Sequence, residues 1–175
     1  MIMFSNVNAQ SAIDDKESAR VFVQKFYDWY TVLYTAPQKK GEIRATSIIA
    51  INQKSLSFDV LLRKALVDDD RAQSKVTDDI VGLDWDPFLT GQDIGVGYQT
   101  GNIKKAGNKF LVDIHNIERG KSKKAILASE LLVVAEVAKL NRHWVFTNFL
   151  YPKRGNDNLL LILRNLRKDR DETTK

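Results

Sequence analysis

The chain has 175 residues, 43% of them hydrophobic and 28% charged, with a net charge of +5. It is the size of one domain and long enough to bury its own core. The absence of cysteine excludes disulfides, thiolate metal sites and a cysteine nucleophile, and no apolar run reaches the roughly 20 residues of a membrane-spanning helix.

At the N-terminus, Val7-Asn8-Ala9 has the small-residue pattern of a signal-peptidase site. The basic start and long apolar stretch of a full export signal do not precede it. Residues 1–12 therefore read as a residual export signal or a disordered tail, 13–168 as a single domain, and 169–175 as a second disordered tail. Asp14 to about Thr35 has the pattern of an amphipathic helix, capped by Asp14 with Glu17 as its reciprocal partner. Phe22, Phe26, Trp29 and Leu33 form its apolar stripe, flanked by Tyr27, Tyr30 and Tyr34, and Pro37 and Gly41 end it.

Residues 42–54 fit either a short strand or the approach to the next helix. Ser55 reads as the cap of that helix, from Leu56 to about Lys75. Phe58, Leu61, Leu62, Ala65 and Leu66 share its apolar face, and its polar end from Asp68 is expected in solvent. A loop over 77–94 follows, in which Asp86-Pro87 predicts a turn. The period then changes to two. Strands are expected over Gly95–Lys104, Lys109–Ile117, Ala125–Leu140 and His143–Leu150, with turns at 105–108, 120–123 and 141–142. A closing helix runs from about Asn156 to Lys168, with Asp157 near its start. Its run Leu159-Leu160-Leu161-Ile162-Leu163 is apolar nearly all round, so it either wedges into the domain or faces a partner. The order predicts an α+β fold: N-terminal helices packed on a curved antiparallel sheet, then a C-terminal helix.

Several segments recur together in one order: Phe26-Tyr27-Asp28-Trp29-Tyr30, Leu56-Ser57-Phe58, Leu83-Asp84-Trp85-Asp86-Pro87-Phe88, Val96-Gly97-Tyr98, His143-Trp144-Val145-Phe146 and Tyr151-Pro152. Together they resemble the bacterial family of unknown function DUF3828, over about residues 17–165. The resemblance implies an exported protein with an NTF2-like (cystatin-like) cone fold, in which a curved sheet wraps a long helix. It implies no catalytic residues, since the family has none accepted. The missing lipid-attachment cysteine separates this chain from the family's lipoproteins.

Asp84 and Asp86, on either side of Trp85, are candidate ligands for a hard cation or, as the alternatives, caps of backbone N–H groups in the turn or paired carboxylates for hydrolysis. Asp113 and His115 share one face of a strand and are candidates for an acid–base pair, or for a structural histidine beside an acid. Trp29, Tyr30, Trp85, Tyr98 and Trp144 are candidate lining of an apolar ligand pocket, or ordinary core aromatics. Residues 68–93 hold eight acids against two bases, and residues 104–124 hold seven bases against two acids, which suits either steering of a charged partner or solvated loops.

No phosphate loop, nucleophile elbow or zinc-protease motif is present, and no nucleic-acid-binding motif. The expectation is a non-catalytic, exported binding module of the cell envelope, periplasmic or secreted, with no cofactor; the residues alone also fit a cytoplasmic protein. Its partner would be an envelope protein, a small apolar ligand or a second copy of the chain, with no nucleic acid and no transmembrane segment. One alternative is a cone-fold enzyme using Asp113 and His115. Another is an immunity or inhibitor protein whose acidic segment faces a basic toxin.

Overall fold

The computed structural model describes residues 6–37, 46–90, 96–127, 131–155 and 157–173. Three helices come first: α1 (Asn6–Thr35), α2 (Thr46–Gln53) and, after a 3-10 turn over Ser55–Ser57, α3 (Val60–Gln73). The strands β1 (Gly97–Ala106), β2 (Lys109–Ile117), β3 (Leu131–Leu140), β4 (His143–Tyr151) and β5 (Asp157–Asn158) follow. A short helix α4 (Lys123–Leu127) sits between β2 and β3, a 3-10 turn (Pro152–Arg154) after β4, and α5 (Leu159–Thr173) closes the chain. The sheet is an antiparallel meander in the order β1-β2-β3-β4-β5, so the fold is α+β.

Register shifts fall between Thr100 and Ile103, Ile114 and His115, and Glu136 and Val137. Extra residues of this kind bend a strand and increase its twist. Asn141 and Arg142 turn β3 into β4 with φ of 49° and 68°, the left-handed pair that a two-residue hairpin needs to match strand twist. One face of the sheet packs on α1. Phe26 is the hub there, with ring centroids 4.7 Å from Phe146, 5.5 Å from Phe88 and Tyr30, and 5.6 Å from Phe58. Ala19, Val23, Tyr27, Tyr30, Tyr98, Val112, Val133, Ala135 and Phe149 complete the layer, each no more than 3% exposed. Side chains therefore fill the space between α1 and the sheet.

The structure differs from the sequence-based expectations at defined points. α1 begins at Asn6, so Asp14 lies within the helix rather than at its cap, and residues 6–12 are helical. Residues 46–53 form α2, not a strand. The cap of α3 is Asp59, whose carboxylate accepts from Leu61 N at 2.8 Å, while Ser55 opens a 3-10 turn. The expected strand over Ala125–Leu140 begins at Leu131, because Lys123–Leu127 folds as α4. Asp157 belongs to β5, and Asn158 caps α5 by accepting from Leu161 N at 3.0 Å. α5 continues to Thr173, past the expected end at Lys168. Gly41, residues 42–45, Gly91, Gln92, Asp93, Gly95, Asn156 and the ends 1–5 and 174–175 lie outside the described residues, as does the side chain of Asp14.

The largest departure concerns Asp69, which is 4% exposed rather than in solvent. Its Oδ1 accepts from Arg170 Nη1 at 2.6 Å and its Oδ2 from Leu83 N at 2.8 Å, and the same Arg170 nitrogen donates to Val81 O at 2.7 Å. Gln73 Oε1 accepts from Val81 N and Gly82 N. Gly82 is required by this close approach, since a Cβ there would come within 2.9 Å of Asp69 Oδ2. One carboxylate thus joins α3, α5 and the loop after α3. Removing one partner of a buried ion pair costs about 3 kcal/mol or more. Arg170→Ala is expected to lower the unfolding free energy by that amount in urea titrations. Asp68→Ala, which breaks an exposed pair with Lys64, should cost less than about 1 kcal/mol.

Candidate functional site

The five candidate pocket aromatics do not converge. Tyr30 and Tyr98 are core residues, 0% and 3% exposed. Trp29 is half-buried with the Lys54 ammonium 4.9 Å from its ring centroid. Trp85 forms a T-shaped contact with Tyr151 and carries the Arg154 guanidinium 4.1 Å from its ring centroid. Trp144 donates from Nε1 to Ser18 Oγ at 2.8 Å and meets Phe110 edge-on.

Asp84 and Asp86 also part company, Asp84 being exposed and Asp86 turned inward. Asp86 Oδ1 accepts from Phe88 N at 2.9 Å and Leu89 N at 3.0 Å, and its Oδ2 accepts from Tyr30 Oη at 2.5 Å. Asp86 therefore caps the turn. The Tyr27 hydroxyl donates to Phe88 O at 2.9 Å and that of Tyr151 to Pro87 O at 2.8 Å, so three tyrosines hold the Asp86-Pro87-Phe88 turn. Among the described residues no three histidines or carboxylates come together as metal ligands.

Asp113 and His115 do lie side by side, on the sheet face opposite to Val112 and Ile114. His115 is 6% exposed, and among the described residues its Nδ1 has no hydrogen-bond partner. Burial pushes the Asp113 carboxyl up, and His115 partly offsets this. Gly101 leaves room for the imidazole: a Cβ there would lie 2.6 Å from His115 Nε2 and 3.3 Å from Asp113 Cβ. The pair is packed into the back of the sheet, away from α1.

Two grooves open on the surface. The first, of about 670 Å³, runs between the Ser55–Arg63 segment and the β3–β4 hairpin from Leu140 to Val145. Phe22, Phe58, Trp144 and Val145 line it, and Leu56 and Val60 stand on its rim, 88% and 65% exposed. Arg63, Arg142 and His143 are its basic residues and Asp59 its one carboxylate, which is engaged in capping α3. The second groove, of about 570 Å³, is lined by Asp69, Asp70, Asp84, Trp85 and Asp86 among others. Two of those acids are already bonded inward.

Sequence reasoning missed the first groove. The available signal was an excess of apolar residues on α3: Leu62 and Leu66 complete the buried stripe, which leaves Val60 and Leu61 65% and 71% exposed. No family model, curated protein or solved structure matches this chain.

Two expected outcomes follow, one from the titration of Asp86 and one from the packing around His115. Burial raises the Asp86 pKa above 3.8, against the opposing bonds from Tyr30, Phe88 and Leu89. For a carboxyl raised by folding, the stability it contributes is present below its unfolded pKa and is lost as pH rises through the folded one. Asp86→Asn keeps an acceptor for Phe88 N and Leu89 N and does not titrate. Its melting temperature relative to the wild type should therefore climb from about pH 4 upward and then level off, read by thermal unfolding of both proteins at stepped pH. At the back of the sheet, Gly101→Ala should cost about 1–3 kcal/mol by overpacking. In a His115→Ala background that cost should fall below about 0.5 kcal/mol, since contacting residues are not additive.

Proposed function

We propose that the chain is a non-catalytic binding module, and that it takes a partner protein of acidic, apolar-anchored surface in the groove between Ser55–Arg63 and the β3–β4 hairpin. The observation that carries this reading is the pair Leu56 and Val60, exposed beside an aromatic floor of Phe22, Phe58 and Trp144. Large apolar side chains standing out of a surface suit a macromolecular contact better than a small-ligand cleft, whose apolar residues line a concavity.

Charge supports the choice of partner. Among the described residues Arg63 and Arg142 have no ion-pair partner, and the groove's one carboxylate is held in a helix cap. The filled space between α1 and the sheet, and the burial of His115, favour binding at the surface over chemistry in an interior cleft. A second copy is disfavoured, because an isologous contact would set one basic groove against another. Among the described residues no helix is long and apolar enough to cross a membrane. An envelope location, periplasmic or secreted, is part of the proposal and is supported by the resemblance to DUF3828.

Site-specific photo-cross-linking in cells that make the protein tests the reading. A benzophenone side chain at Leu56 should yield a discrete protein adduct that one at Lys105 does not, and Arg63→Glu/Arg142→Glu should abolish it. Equal labelling from both positions, or no adduct at either, would overturn the proposal.

A further inference from the structure

The first groove runs along an unpaired stretch of strand edge. β4 is hydrogen-bonded to β3 on one side, but β5 pairs only with Leu150 and Tyr151 on the other. Between the hairpin turn and Leu150, the backbone pairing among the described residues on that second side is a single parallel bridge, Phe58 with Phe146, in which Asp59 N donates to Phe146 O at 2.9 Å. Phe146 thus turns its C=O away from β3. Backbone groups two residues apart on a regular strand face the same way, and the register is unbroken from His143 to Phe146. The N–H and C=O of Trp144 therefore face the groove as well. The two-residue turn agrees: it makes Leu140 and His143 the hydrogen-bonded pair, so Trp144 stands opposite Lys139 in a non-bonded pair.

Resting on the binding reading above, we propose that the partner enters this groove as an extended segment that adds a strand to the β4 edge at Trp144. The segment would alternate apolar and acidic residues. Main-chain bonds to Trp144 supply the pairing common to strand addition. The apolar side chains would meet Phe22, Leu56, Phe58 and Val60, and the acids would meet Arg63 and Arg142 at the rim. A strand has period two, so one of its faces can be apolar while the other is charged. This matches a groove with an apolar floor and a basic border.

Short random peptides displayed on phage and selected against the full-length protein test this. The expected winners alternate apolar residues with Asp or Glu. A synthetic winner should lose about tenfold in affinity when N-methylated at every second residue in one register and keep it in the other, as expected for one or two lost main-chain bonds. On binding, hydrogen exchange of the Trp144 amide should slow at least about tenfold. Arg63→Glu/Arg142→Glu should weaken binding about tenfold with lost charge complementarity.

Peptides that still bind with either register methylated, leave the Trp144 amide unprotected, yet fail to bind Leu56→Asp, would overturn strand addition while leaving the groove as the binding face. Winners without acidic residues would overturn the charge assignment. No winner at all would overturn peptide docking. If phosphatidylglycerol vesicles then bound the wild type and not Leu56→Asp, the surface would be one for a membrane and the partner-protein reading would fail too.

Discussion

The fold turns on one inward-facing, half-buried carboxylate. Asp86 sits where α1, the loop after α3 and the sheet meet, and a carboxylate out of water is costly unless its oxygens are satisfied. Two backbone N–H groups and the Tyr30 hydroxyl satisfy it. Hydrogen bonds to a charged group are worth about 1.5–3 kcal/mol each. The adjoining carbonyls of Pro87 and Phe88 receive the hydroxyls of Tyr151 and Tyr27. A turn with little regular structure of its own is thereby fastened to α1 from one side and to β4 from the other. Phe88, 0% exposed, is driven between Phe26, Phe58 and Phe149. The same fastening closes the space that a cone-shaped fold would leave for a ligand.

The sequence made the order of elements, the antiparallel meander and the turn at Asp86 legible, because each has a local cause. Period-two alternation marks β2 to the residue, and Asn141-Arg142 lies between two strand patterns. What stayed hidden has causes far along the chain. The apolar stripe read on α1 was Phe22, Phe26, Trp29 and Leu33, yet Phe22, Trp29 and Leu33 are only half-buried, while Tyr27 and Tyr30 are sealed in. Hydrophobicity ranks tyrosine below phenylalanine, and nothing local announces that a carbonyl and a carboxylate some 60 positions away will accept its hydroxyl. Asp69 is the same case. It stands in a run of three aspartates that reads as a solvated helix end, and its partner Arg170 is 101 residues on. Ala125-Ile126-Leu127 was absorbed into a strand because so short an apolar run fits either period.

The charge asymmetry reads differently once partners are known. In the acidic segment Asp69 and Asp86 bond inward and Asp68 pairs with Lys64, so the segment offers less free negative charge than its composition suggests. In the basic segment Lys109 pairs with Glu136 and Lys121 with Glu118. The two arginines at the first groove come from neither segment, and they lie beside exposed leucine and valine. Charge next to exposed apolar surface bears on recognition more than charge spread over turns, because the apolar contact excludes water around it.

The two free edges of the sheet are treated unlike one another. At β1 the side chain of Gln24 on α1 donates to Tyr98 O and accepts from Thr100 N and Thr100 Oγ1. A helix side chain thus takes the place of a neighbouring strand. The rest of β1 carries a bulge and exposed Lys104 and Lys105, devices that discourage strand pairing. β4 has its bulge further along, between Phe146 and Asn148, and Phe58 touches it at one residue. The stretch from His143 to Val145 is left with an apolar groove instead of lysines alongside it. Exposed edges invite association and are ordinarily blunted. A chain that shields one edge with a dedicated glutamine while bordering the other with Leu56, Val60 and Trp144 leaves open the edge at which strand addition is proposed.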